Sequence, residues 1–301
     1  MGLGPAAVAE AAPGKRFVRH ADSGCRDRKG EYHVCAPWRL YLRSGRVIRL
    51  TEARMYPSGG RKYPAPFALS PHGGNAAYFR LKDGALVVRD VTTGKVRVVA
   101  GVDWSNHRHS IALGPLGRFV VLYRVHPGPY QIVDSLTGRR HTLPVGEVPQ
   151  NFSPDNRYLL TRRQQDVTVY ETGTWRVVWS WKNAPGTALH MDGTTVAYID
   201  RGDRKRHRIR FFDLATGRRV GASLRLPAGE FGMAVSWDRA NHLDVLSTVN
   251  AGTSGDRTTW RWRRANDGMR VIDTFVERSR RHRRHRGPVV PLTGPCAGPA
   301  A

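Results

Sequence analysis

Asp90-Val91-Thr92-Thr93-Gly94, Asp134-Ser135-Leu136-Thr137-Gly138 and Asp213-Leu214-Ala215-Thr216-Gly217 are three copies of one turn, Asp-x-x-Thr-Gly, each set between two short strands. Weaker copies occupy 41–45, 171–175 and 264–268. The six copies therefore begin at 41, 90, 134, 171, 213 and 264. A spacing of about 44 residues is the period of a repeat architecture, in which each unit buries its apolar faces against its neighbours.

A second landmark precedes each turn by about twenty residues, still within one period. Its best copy is Phe67-Ala68-Leu69-Ser70-Pro71-His72-Gly73, and related stretches lie at 111–117, 151–156, 189–193 and 235–238. Pro fixes φ near the value that a turn needs, and Gly or Asn supplies the positive φ that closes it. Between the landmarks run apolar stretches such as Phe119-Val120-Val121-Leu122-Tyr123, then a third strand such as Ile209-Arg210-Phe211-Phe212. A fourth strand follows the Asp-x-x-Thr-Gly turn, as in Val177-Val178-Trp179-Ser180-Trp181. Four short antiparallel strands per period make one propeller blade.

Ser-Pro-x-Gly after the innermost strand, combined with Asp-x-x-Thr-Gly after the third, resembles the WD40-like or TolB-like β-propeller repeat over residues 30–277. The resemblance implies an all-β fold, a six-bladed β-propeller of four-stranded antiparallel blades. The Trp-Asp pair of WD40 repeats is replaced by Arg89-Asp90, Val133-Asp134, Tyr170-Glu171 and Phe212-Asp213, so the hydrogen-bond network of a WD40 blade is not carried over. The first blade is irregular, with recognisable strands only at 32–35, 38–42 and 47–50. Residues 15–20 are expected to provide its innermost strand. Residues 289–292 are the alternative, which would close the ring by pairing the two ends of the chain. The domain plan is a disordered Ala/Gly/Pro-rich segment at 1–14, the propeller at 15–277, and a disordered tail at 278–301 that is Arg-rich and then Gly/Pro/Ala-rich.

Lys and Arg number 49 against 24 Asp and Glu, a net charge of +25, and 42 of the basic residues are Arg. Such an excess attracts polyanions, although an Arg-, Ala- and Gly-rich composition also follows from GC-rich coding. The resemblance implies that the hairpins joining second and third strands share one face with the segments linking blades, the face that relatives use for ligands. The linking segments carry Arg61, Lys62, Tyr63, Trp104, His107, Arg108, His109 and Lys182, and the hairpins carry Arg162, Arg163, Arg204 and Lys205. Guanidinium planes beside aromatic rings suit bidentate recognition of carboxylate, phosphate or sulfate. The alternative is a set of solvated hairpin tips in an Arg-rich chain. The opposite face is expected to hold Asp90, Asp134, Glu171 and Asp213.

The densest charge block, 278–286 (RSRRHRRHR), includes Arg280, Arg281, Arg283, Arg284 and Arg286. It is expected to bind polyanions without sequence readout, since no aromatic residue is present for base stacking.

The chain has no Gly-x-Ser-x-Gly elbow, no phosphate-binding Gly-x-x-x-x-Gly-Lys-Ser/Thr loop and no His-Glu-x-x-His zinc motif. Seven glutamates leave few candidates for general acid or base work. No catalytic residue, metal site or cofactor is assigned. Cys25 and Cys35 flank a polar turn, and a disulfide between them would stabilise by about 2.8 kcal/mol through loop-closure entropy. Residues 1–13 resemble the end of a secretory signal, with Ala7-Val8-Ala9 as a small-x-small site. These two features favour a secreted or cell-envelope location over the cytoplasm. No run of 18 apolar residues is present to span a membrane. The expected function is a noncatalytic, monomeric scaffold or binding module for a protein or anionic polymer at the basic face. Nonspecific association with nucleic acid through the Arg-rich tail is one alternative, and a propeller hydrolase or lyase with an unrecognised site is another.

Overall fold

The computed structural model describes residues 17–26, 32–56, 65–104, 109–124, 128–184, 186–200, 202, 207–250, 257–278 and 290–291. They form six four-stranded antiparallel sheets. The first blade contains β1 (Val18–Arg26), β2 (Tyr32–Leu42) and β3 (Val47–Leu50). The second is β4 (Phe67–Leu69), β5 (Asn75–Phe79), β6 (Ala85–Asp90) and β7 (Val96–Asp103), and the third is β8 (His109–Leu113), β9 (Phe119–Arg124), β10 (Gln131–Asp134) and β11 (Arg140–Thr142). The fourth is β12 (Val148–Phe152), β13 (Tyr158–Arg163), β14 (Asp166–Glu171) and β15 (Arg176–Trp181). The fifth is β16 (Ala188–Leu189), β17 (Thr195–Asp200), β18 (Arg208–Asp213) and β19 (Arg218–Arg225), and the sixth is β20 (Glu230–Trp237), β21 (Leu243–Asn250), β22 (Arg257–Arg264) and β23 (Arg270–Arg278). The last strand, β24 (Val290–Pro291), completes the first blade.

The source of that innermost strand corrects the sequence expectation. The first sheet is ordered β24-β1-β2-β3, so the strand that begins at Val18 is the second of its blade. Ala21 pairs with Val290 and His20 with Pro291. β1 is therefore paired on both sides, and the ring closes through the C-terminal alternative. Pairing the inner edge of β1 leaves less open edge for another chain to join.

The core lies between blades, as alternating strands with apolar residues on both faces require. One cluster joins Trp38, Leu40 and Leu50 of the first blade to Phe67 and Tyr78 of the second and to Leu246 and Trp262 of the sixth. Others join the second blade to the third through Phe79 and Leu122, and the third to the fourth through Phe119 and Phe152. Leu160 and Phe212 join the fourth to the fifth, and Ile209 and Val245 join the fifth to the sixth. Stacked pairs reinforce two of these seams, Trp38 on Phe67 at 4.2 Å and Phe119 on Phe152 at 5.2 Å.

Both turn landmarks perform the backbone task that their residue types imply. In the turns after innermost strands, Gly73, Gly117, Asn156, Gly193 and Asn241 all take positive φ between 62° and 77°. The Ser70 and Ser153 hydroxyls accept from the amides of Asn75 and Tyr158. After third strands, Asp90 Oδ1 accepts from the amides of Thr92 and Thr93, and Asp213 Oδ1 from that of Ala215. In the fourth blade Trp175 stands where Gly is found elsewhere, with φ 58°. Its ring stacks on His141 at 4.1 Å and meets Phe119 edge-on, and this packing offsets the left-handed backbone.

Candidate functional site

Antiparallel order fixes two faces. Turns after first and third strands lie on one, here called the turn face, and hairpins after second strands lie with the blade-linking segments on the other, the linker face. Trp104, Arg162, Arg163 and Lys182 are described on the linker face. Arg61, Lys62, Tyr63, His107, Arg108, Arg204 and Lys205 lie outside the described residues, as do Arg280, Arg281, Arg283, Arg284 and Arg286. His109 opens β8, with its side chain outside the description. The same holds for the side chains of Cys25, whose backbone pairs with His33, and of Cys35 in β2.

Two of the four described candidates are built into the fold. Trp104 packs against the cluster between the second and third blades, edge-on to Phe79 at 5.0 Å, with the Arg54 guanidinium over it at 5.3 Å. Gly84 makes room for it, since a Cβ there would lie 3.1 Å from the Trp104 Cβ. Arg162 donates to the Gly186 carbonyl at 2.8 Å, and burial pulls its pKa below the usual guanidinium range. Arg163 and Lys182 are exposed and make no ion pair among the described residues.

The linker face also holds a set of carboxylates that basic-residue clustering does not reveal. Leu143-Pro144-Val145-Gly146-Glu147 and Leu226-Pro227-Ala228-Gly229-Glu230 are two copies of one connector into an innermost strand. In each, the Glu amide donates to the Pro carbonyl at 3.1 Å, and the Gly before it has φ 85° or 78°. That is a turn with positive φ at its third position, where Gly belongs. The turn places each Glu beside strands two and three of its own blade. Glu147 accepts from the Thr161 hydroxyl at 2.8 Å and from the Tyr170 hydroxyl. Glu230 accepts from the Ser247 hydroxyl at 2.7 Å, from Arg261 Nη1 at 2.6 Å and from Arg263 Nε at 2.7 Å. Glu52, in a different connector, accepts from the Tyr78 hydroxyl at 2.8 Å and from Arg89 Nη1 at 3.0 Å.

The three networks share one geometry. Thr161 pairs with Thr168, Ser247 with Arg261 and Tyr78 with Val87, and the second donor lies two residues beyond each partner, at Tyr170, Arg263 and Arg89. Each Glu thus ties a diagonal across two strands. The third and fifth blades place Leu122 with Val133 and Tyr198 with Phe212 on the matching diagonal, and carry apolar contacts there instead. Burial raises the Glu230 carboxyl, but hydrogen bonds from Arg263, Ser247 and Arg261 outweigh it and hold the pKa at about 2. Burial and Glu147 together push the Tyr170 phenol up to about 12.

On the turn face the expected acids are present, but the fold absorbs them. Asp134 accepts from Arg118 at 2.8 Å and from the Leu136 amide, and Glu171 accepts from the Thr174 hydroxyl. A denser cluster sits where the sixth, first and second blades meet. Arg264 faces Asp244 at 3.2 Å and Asp238 at 3.4 Å, His242 pairs with Asp238, and Arg19 and Arg43 both approach Asp273. His72 is buried against this group, near Asp244, Asp238 and Arg43, with no hydrogen-bond partner at Nε2 among the described residues.

Burial lowers the His72 pKa, and burial together with Arg19 lowers that of His20 to about 4. Both imidazoles are therefore neutral in the fold and take up protons more readily once unfolded. Stability is complete above the ordinary His value of 6.5 and falls as the pH drops toward about 4. The urea midpoint is expected to decrease across that window, and the His20→Gln/His72→Gln double variant should flatten the slope. An unchanged slope in that variant would assign the loss to other groups.

Among the described residues, no group of three His, Cys, Asp or Glu side chains is placed to hold a metal, and no helix is long and apolar enough to cross a membrane.

No protein-family model and no curated protein matches the sequence. Solved structures do resemble it. TolB from Acinetobacter baumannii is 16% identical with a TM-score of 0.47, covering 84% of this chain and 63% of its own. A putative TolB from Agrobacterium tumefaciens is 13% identical with a TM-score of 0.46, covering 76% of this chain and 84% of its own. The Cps50 (Swd1) β-propeller domain of Myceliophthora thermophila is 14% identical with a TM-score of 0.45, covering 85% of each chain. The fold itself is a six-bladed β-propeller of four-stranded antiparallel sheets. This chain spans less than two thirds of the length of the Acinetobacter TolB chain. At these levels the likeness extends to architecture alone, and the fold rests on the six sheets themselves.

Proposed function

We propose that this chain is a noncatalytic binding module whose linker face receives an anionic partner, a protein or an acidic polymer. The observation that carries this reading is an imbalance in how the charges on that face are used. Glu52, Glu147 and Glu230 are held by hydroxyl and Arg donors, Asp83 by Arg80, Asp166 by the Asn183 amide and Asp200 by Arg210. Arg163, Lys182 and Lys82 are exposed without a carboxylate partner among the described residues. The acids are engaged within the scaffold while these cations face solvent, and this asymmetry supports an anionic partner at the face.

The Arg-rich block lies between β23 and β24, and Arg278 and Val290, the described residues on either side, both stand on the linker face. The block has to be tested by substitution at full length, because truncation also removes the strand that closes the ring.

The test compares a poly-glutamate peptide with a single-stranded oligonucleotide of equal charge, each titrated at low and at physiological salt. Arg163→Glu with Lys182→Glu is expected to weaken poly-glutamate binding about tenfold. If those changes have no effect while replacing Arg280, Arg281, Arg283, Arg284 and Arg286 by Ser abolishes binding of both probes, the propeller face is not the site. Nonspecific polyanion adhesion through the block would then replace this reading.

A further inference from the structure

A cavity of about 430 Å3 opens between the first and second blades, lined by Glu52, Tyr78, Arg80, Leu81, Lys82 and Val96. Its volume is within the range of small-molecule sites. The Glu–hydroxyl–Arg network that is sealed in the sixth blade is open here. The Glu230 side chain is 1% exposed, whereas that of Glu52 is 37% exposed. Tyr78 and Arg89 both donate to Glu52 Oε1, and Oε2 accepts nothing among the described residues. The free oxygen lies at a cavity whose other walls are apolar, with Leu81 56% and Val96 41% exposed. At its rim Arg80 is neutralised by Asp83 through two hydrogen bonds, while Lys82 has no ion pair among the described residues.

We propose that this cavity is a binding site for a carboxylate with an apolar body and a hydrogen-bond donor at its far end. The apolar body lies on Leu81 and Val96, the exposed apolar residues of the lining. The carboxylate meets Lys82, the one charge among the described lining residues with no ion-pair partner, and the donor reaches Glu52 Oε2. Each part of the ligand answers one feature of the wall. Because Arg89 already balances Glu52, a monoanion leaves the occupied site neutral. The proposal shares Lys82 with the anionic-partner reading of the whole face, and the two are tested apart, since Arg163 and Lys182 are not among the residues lining the cavity.

The experiment is calorimetric titration of the full chain with para-hydroxyphenylpropionate, with phenylpropionate lacking the donor, and with para-ethylphenol lacking the carboxylate. Saturable binding of the first is expected, about tenfold weaker for either truncated ligand. Lys82→Glu should remove the advantage of para-hydroxyphenylpropionate over para-ethylphenol, and Leu81→Asp should weaken all three. Both positions are exposed on a hairpin, and an unchanged melting temperature will show that the fold is retained. Absence of saturable binding, or equal affinities across the three ligands and both variants, overturns the proposal.

Discussion

Replacing Glu230 by Gln is expected to cost about 3–5 kcal/mol of stability, the range for removing one partner of a buried ion pair. Arg263 is only 8% exposed and directs Nε and Nη2 at this carboxylate, with Arg261 and Ser247 alongside. Without the charge, two guanidinium groups face a neutral amide in the seam between the fifth and sixth blades. Urea unfolding of the single variant and of Glu230→Met/Arg263→Met tests this. The double variant should lose less, because no charge remains stranded at the most buried position. Equal losses would show that packing, and not charge, accounts for the effect. The pH dependence supplies a second check. With a folded pKa of about 2 against an ordinary 4.5, the contribution of Glu230 is complete above 4.5 and disappears as the pH falls through about 2. The gap between native and Glu230→Gln proteins should close in that same window.

A chain ending at Gly287 is the second large expected loss. It lacks β24, so β1 keeps its pairing to β2 but exposes its inner edge at His20 and Ala21. Val18 and Ala21 are fully buried in the closed ring, within the cluster that also holds Trp38, Leu246 and Trp262. Losing that edge pairing and part of its cover is expected to cost about 3 kcal/mol, or about 5 °C in melting temperature for a domain of this size. An open inner edge also invites pairing with a second chain. Size-exclusion chromatography should therefore show dimers or larger species with the truncated chain. A monomer with the native melting temperature would mean that β24 contributes nothing to closure.

The turns were legible in the sequence because their backbone demands are specific. Only Gly, Asn or Asp settle readily at positive φ, so Gly94, Gly138 and Gly217 mark turns wherever they recur. Apolar second and third strands such as Phe119-Val120-Val121-Leu122 were equally clear, since they are buried on both faces. Outer strands were harder. β11 and β19 are largely exposed and rich in Arg, so no hydrophobic period distinguishes them from loops. The innermost strand of the first blade was misplaced because residues 15–20 and 289–292 are both short and β-prone, and only register separates them. Trp104 reads as a ligand-face aromatic, yet its ring packs edge-on against Phe79 and its Cβ lies against Gly84, a contact twenty residues apart that no local pattern announces. The Leu-Pro-x-Gly-Glu connectors were in plain view at 143–147 and 226–230 and offered a readable repeat. Their purpose was hidden, because each carboxylate ties a diagonal that exists only once strands are in register.

The pairing of Ala21 with Val290 also bears on how the chain is made. Most of the molecule can fold blade by blade as it leaves the ribosome, each sheet formed from neighbouring residues. The first blade cannot, because its last strand emerges about 270 residues after its second. Until β24 emerges, then, this sheet waits with one edge unsatisfied, exposed to chaperones, proteases and neighbouring nascent chains.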